Sequence, residues 1–216
     1  ADLAAVSMAL DVSARSSSTP PPIIAAPPSD AIAATPEVID AFEAALDDWR
    51  ADGWRVIRQS PPALAPAIGP IDLLMAAQAA DAQAARLADD RRFDDLTRRR
   101  FAVGVDIDAA ARAQAKATRR SAMQAADAAF ADFDLWATPT LPIGPPPIAA
   151  VDDAQRPFSR FVRFANYLDL PACAFPAADR GGPPASLHLV SRRTAGGALL
   201  AAVDRLSRGA VARLPA

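Results

Sequence analysis

Proline decides what much of this chain cannot be. Twenty-one prolines stand among 216 residues, in clusters at 20–22 with 27–28, at 61–70, and at 139, 142 and 145–147. A proline has no N–H to donate and clashes with the preceding helical turn, so neither a helix nor a central strand runs through such clusters. Regular structure is expected in the segments between them.

Those segments alternate in type. Residues 2–12 read as a short amphipathic helix with Leu3, Val6 and Leu10 on one stripe. Ser13 to Asp30 reads as a linker or extended loop. Thr35, Pro36 and Glu37 then announce a helix, by capping, by a fixed φ in the first turn, and by a negative charge at the positive helix end. Val38, Ile39, Phe42, Leu46 and Trp49 form its apolar face, Gly53 stops it, and Trp54–Ile57 reads as a strand. Helix, glycine turn and strand make half of an α/β unit.

After the proline-broken loop at 61–70, helices are expected over Ile71–Leu87 and from Asp106 or Asp108 to about Phe130. A charge cluster from Arg91 to Arg100 lies between them. Leu135–Ala137 reads as a strand that breaks into an irregular loop from Ala137 to Pro147, with Thr138 and Thr140 facing a concavity. A helical stretch at Pro157–Leu168, a strand at Ala172–Phe175, a turn at Gly181-Gly182, a strand at Ser186–Ser191 and a helix at Gly197–Leu206 complete the chain. The fold class is α/β, a mixed sheet with helices packed on it. Residues 1–216 are expected to form one domain that includes the Pro/Ser-rich linker 13–30.

Composition narrows the partners. A net charge of −2 offers no basic excess for nucleic acid. With Cys173 and His188 each single of its kind, no intrachain disulfide and no Cys/His zinc site is expected. No metal or cofactor is implied. No apolar run is long enough to span a membrane, and no basic leader precedes an apolar core. The start at Ala1 reads as a cut within a longer pattern, and the free thiol fits a cytoplasmic location.

Three blocks carry a resemblance. They are Asp134-Leu-Trp-Ala-Thr-Pro-Thr-Leu-Pro142, Arg163-Phe-Ala-Asn-Tyr-Leu-Asp-Leu-Pro-Ala-Cys-Ala-Phe-Pro176, and Gly182-Pro-Pro-Ala-Ser-Leu-His-Leu-Val190. In this order they resemble the C-terminal half of the amidase signature family. Asp169 stands where the family's turn usually has glycine, and His188 where it usually has glutamine. Residues 2–12 and 35–57 resemble the helix after the family's nucleophile and the helix and strand that follow it. The resemblance implies the C-terminal portion of an incomplete domain, from an enzyme that hydrolyses carboxamide C–N bonds through a serine, a second serine and a lysine. Its small-molecule amide substrate would meet the pocket wall here, and a separate N-terminal half would be the partner.

None of that catalytic set is recognised in this chain. Ser16-Ser17-Ser18 lacks the flanking glycines that shape an oxyanion turn, and Lys116 sits mid-helix among Arg112, Arg119 and Arg120. No catalytic residue is therefore assigned. The proline loop of the first block would wall the acyl pocket, which makes Thr138, Pro139, Thr140 and Asn166 the substrate-pocket candidates. Turn chemistry alone also accounts for them. Cys173 reads as a small core residue, His188 as a strand residue with at most one structural hydrogen bond, and Asp94-Asp95 as part of a solvated helix face. Two other readings stand beside the hydrolase: a non-catalytic truncated amidase homologue acting as a binding or structural subunit, and an Ala/Pro-rich helical interaction protein.

Overall fold

The structure, a computed structural model, describes residues 21–60, 68–87, 93–150, 157–178 and 185–211. The helix expected at 2–12, Ser16–Ser18 and the turn at 181–182 lie outside them. The chain divides into two compact units, Ala1–Leu64 with Ala126–Ala216, and Ala65–Ala125.

The first unit is built on a five-stranded mixed sheet in the order β2-β1-β3-β5-β4. The strands are β1 (Ile24–Ala26), β2 (Val56–Arg58), β3 (Leu135–Pro139), β4 (Ala172–Pro176) and β5 (Ser186–Ser191). β1 pairs in parallel with β2 and β3, and β5 pairs antiparallel with β3 and β4. Helix α1 (Pro36–Ala51) joins β1 to β2, so the half-unit read from sequence becomes a complete βαβ crossover.

β1 corrects the linker reading of residues 13–30. Ile24, Ala25 and Ala26 are fully buried between two neighbours. The prolines at 22 and 27–28 flank this strand and do not enter it, so its ladder is intact. Asp134 secures the entry. Its Oδ2 accepts from the Ile23 N–H at 2.9 Å, and the Ile23 carbonyl accepts from the Asp134 and Leu135 N–H groups.

Alternation along the strands gives the sheet two faces. Ile24, Ala26, Leu135, Ala137, Leu187, Leu189 and Phe175 form one core. α1 covers it with Phe42, Leu46 and Trp49, and α6 (Gly196–Val211) with Leu199, Val203 and Leu206. Trp49 stacks on Phe175 at 6.2 Å between ring centroids. Trp136, Thr138, His188 and Val190 point to the other face, where Phe133 packs on Trp136 and α5 (Arg163–Leu168) brings Phe164 onto His188.

Helix ends follow from local chemistry. Thr35 occupies the N-cap position of α1, but its side chain makes no capping bond. Glu37 is held below its ordinary value first by a backbone hydrogen bond and then by the Thr35 hydroxyl. α1 ends where the Gly53 N–H reaches the Arg50 carbonyl and the Trp54 N–H reaches that of Trp49, with Gly53 at φ 84°. α5 ends in the same way: Asp169 donates to Asn166 and Leu170 to Ala165, with Asp169 at φ 60°. Asp169 is the one non-glycine residue with positive φ among the described residues. The turn thus needs the backbone conformation that glycine supplies most readily.

The second unit contains α2 (Ile68–Leu87), α3 (Asp95–Val105) and most of α4 (Ala109–Ala129). α2 starts earlier than expected, with Pro70 inside its first turn, where a missing N–H costs no helical bond. Asp94 caps α3 by accepting from the Thr97 N–H at 2.9 Å, and Asp108 caps α4 by accepting from the Ala111 N–H at 2.7 Å. Arg112 ties the unit together, bonding Asp81, the Gly104 carbonyl and the Ile107 carbonyl.

Candidate functional site

β3 and β5 meet antiparallel, and their polar residues fall in register. Thr138 lies opposite His188, and Thr140, one residue past the strand, meets Ser186. The Thr140 and Ser186 hydroxyls are 2.8 Å apart, and the Thr140 N–H donates to the Ser186 carbonyl at 2.8 Å. Ser186 also donates to the Phe175 carbonyl on β4 at 3.3 Å. Thr138 Oγ1 lies 3.5 Å from His188 Nδ1, with both residues buried. A short polar ladder therefore runs along one face of the sheet at the end of β3.

The proline loop hangs from this ladder. The strand reaches two residues further than the sequence reading places it, so Thr138 and Pro139 belong to β3 and the irregular segment begins at Thr140. Pro139 fits because β1 pairs with β3 only at Leu135 and Trp136, leaving β3 with one neighbour at its far end. Beyond it, the Pro142 carbonyl accepts from the Thr35 N–H at 2.8 Å. The loop is thereby fixed to β5 on one side and to the start of α1 on the other.

The candidates do not all converge. Thr138, Pro139 and Thr140 are contiguous, with Thr138 and Pro139 buried and Thr140 partly so. Asn166 is exposed on α5, two residues beyond Phe164, whose ring meets the His188 ring edge-on at 6.0 Å. His188 thus stands between the two segments that carry the candidates. Burial lowers its pKa to about 4, so the ring is neutral at pH 7. Sequence reasoning does not single out Ser186. The signal is present in the spacing: polar residues two apart on each of two facing strands.

Other polar side chains have structural settings. Lys116 is exposed on α4. Cys173 packs partly buried against the sheet core, and burial raises its pKa, which disfavours the thiolate. Asp95 pairs with Arg98 at 3.2 Å on a solvated face. A cavity of about 300 Å³ lies beside Asp127, Phe130, Arg192, Arg193 and Thr194, with Arg193 on Asp127 and Arg192 3.8 Å from Asp134. Among the described residues no group of His, Cys, Asp and Glu is arranged to hold a metal. No described helix is long and apolar enough to cross a membrane.

Comparison with solved structures shows the fold. The fold matches the crystal structure of an amidase with a TM-score of 0.81 at 22% identity, covering 97% of this chain and 49% of that one. It also matches 6-aminohexanoate cyclic dimer hydrolase complexed with substrate, with a TM-score of 0.74 at 16% identity, covering 94% of this chain and 48% of that one. The family follows from sequence: residues 5–200 match the amidase family, and the chain belongs to it. The A subunit of the glutamyl-tRNA(Gln) amidotransferase of Halobacterium salinarum (strain ATCC 700922 / JCM 11081 / NRC-1) is 28% identical over 186 residues, covering 71% of this chain and 43% of that protein. The chain spans about half the length of these relatives.

Proposed function

We propose that this chain is the C-terminal, pocket-shaping portion of an amide hydrolase, acting on the carboxamide C–N bond of a small molecule. The nucleophilic serine, the second serine and the lysine would come from an N-terminal portion. In that enzyme serine attacks the amide carbonyl, the amine leaves, and water releases the acid from the acyl-enzyme. This chain contributes β3, its anchored proline loop and α5, with Thr138, Pro139, Thr140 and Asn166 facing substrate.

One observation carries the reading. Lys116, the only lysine in the sequence, lies exposed on α4, where a desolvated general base is not built. The order of the three sequence blocks supports the assignment to the C-terminal portion. The Halobacterium relative is by name one subunit of an amidotransferase, which supports an assembly. The free thiol at Cys173 fits a cytoplasmic setting.

Ammonia release from acetamide and benzamide tests the proposal. The chain alone should give no turnover above background, and addition of the N-terminal portion of an amidase-family relative should give turnover. Activity of the chain alone that survives Lys116→Ala and joint replacement of Ser16, Ser17 and Ser18 by alanine would overturn it. Stable association with an N-terminal portion but no turnover would favour the non-catalytic subunit instead.

A further inference from the structure

We propose that His188 is a positioning residue that joins the end of β3 to α5 and fixes the separation between Thr138–Thr140 and Asn166. The joint stands on the geometry of His188. Its consequence for substrate rests on the reading of those four residues as pocket wall.

His188 occupies the middle of β5, with Thr138 of β3 and Ala174 of β4 as its cross-strand partners. It is 4% exposed. Nδ1 lies 3.5 Å from the Thr138 hydroxyl, and the ring plane meets that of Phe164 at 83°. Among the described residues, the side chains that meet the ring are Thr138 from β3 and Phe164 from α5, and neither carries a charge. An apolar residue of similar volume would fill this place without desolvating an imidazole, so filling space does not account for the ring. The imidazole bonds sideways to Thr138 and offers its edge to Phe164 at the same time. This arrangement holds for the neutral ring, because an imidazolium would be enclosed with no counter-charge among the described residues.

The chain has one histidine, so a single imidazole signal in long-range ¹H–¹⁵N spectra reports its charge and tautomer. Amide exchange reports the two helices separately, with α6 as the internal control. His188→Leu keeps the volume and loses the hydrogen bond. It should speed exchange across Phe164–Leu168 about tenfold relative to Leu199–Leu206. His188→Asn places an amide where Nδ1 stood and should restore protection. Lowering the pH toward 4 should release α5 before α6 in the wild type and not in His188→Asn. Equal or better protection of α5 in His188→Leu would overturn the proposal, as would identical acid profiles for the wild type and His188→Asn. Benzamide, added as a probe to the chain with its N-terminal portion, should shift the amide signals of Thr140 and Asn166. If the exchange results hold and benzamide shifts neither, the joint stands and the pocket reading fails.

Discussion

His188 and Asp169 show how one residue can carry a measurable load. The folded pKa of His188 lies near 4, below the unfolded value of 6.5. Between those values the unfolded chain binds the extra proton, so stability rises with pH there. The contribution is fully present above pH 6.5 and is lost as pH falls toward 4. Its size is on the order of 3 kcal/mol. Chemical denaturation at pH 7 and pH 4.5 should show this loss, and His188→Asn should remove much of it. Asp169 holds a left-handed conformation at the end of α5, the same motif that Gly53 completes after α1. Asp169→Gly should therefore raise the unfolding free energy by up to about 1 kcal/mol, while Asp169→Val should lower it by about as much or more. If the two variants melted alike, the left-handed turn would carry no strain.

At the scale of elements, periodic segments are legible in the sequence and tertiary ones are not. α1 declares itself through apolar spacing, α4 through the acidic residues at its start, and β5 through alternation. β1 escapes because it is three residues long, two of them alanine, between prolines. Only its burial between β2 and β3 makes it a strand. The end of β3 is hidden for a related reason: Pro139 is excluded from a central strand, but there β3 has a single neighbour. The polar ladder is half visible, since Thr138 and Thr140 stand out in sequence while their partners depend on register. In the helical unit a Cβ on Gly104 would stand 2.0 Å from the Ala76 carbonyl oxygen, so α2 and α3 can approach only with no side chain there. Gly104→Ala should cost about 3 kcal/mol or more and lower the melting temperature followed by circular dichroism. An unchanged melt would mean that the helices separate freely at this point.

For the molecule as a whole, the two edges of the described sheet differ. β2 is short and ends in Arg58, which engages Glu43 and the Pro27 carbonyl, so that edge is charged and tied down. β4 reads Ala-Cys-Ala-Phe-Pro, carries no charge, and exposes Ala172 and Ala174. Uncharged edges of this kind promote strand-to-strand association. Light scattering on the isolated chain should show concentration-dependent association, and Ala172→Lys should suppress it without shifting the melt. A wild type that stays monodisperse at high concentration would contradict this.

The bond between Ile23 and the Asp134 carboxylate closes a separation of 111 residues, and β1 cannot pair with β3 until segments that far apart meet. Everything in the unit 65–125 must be synthesised before that closure, whereas α2 and α3 meet through near neighbours in sequence. Folding speed falls as contacts become more distant along the chain. Refolding should then be kinetically divided: helical signal recovers quickly, and burial of Trp136 beside β1 follows slowly. During that interval β2 can pair only with β1, and the β3 side of β1 stays open, which makes the nascent chain most vulnerable before β3 emerges.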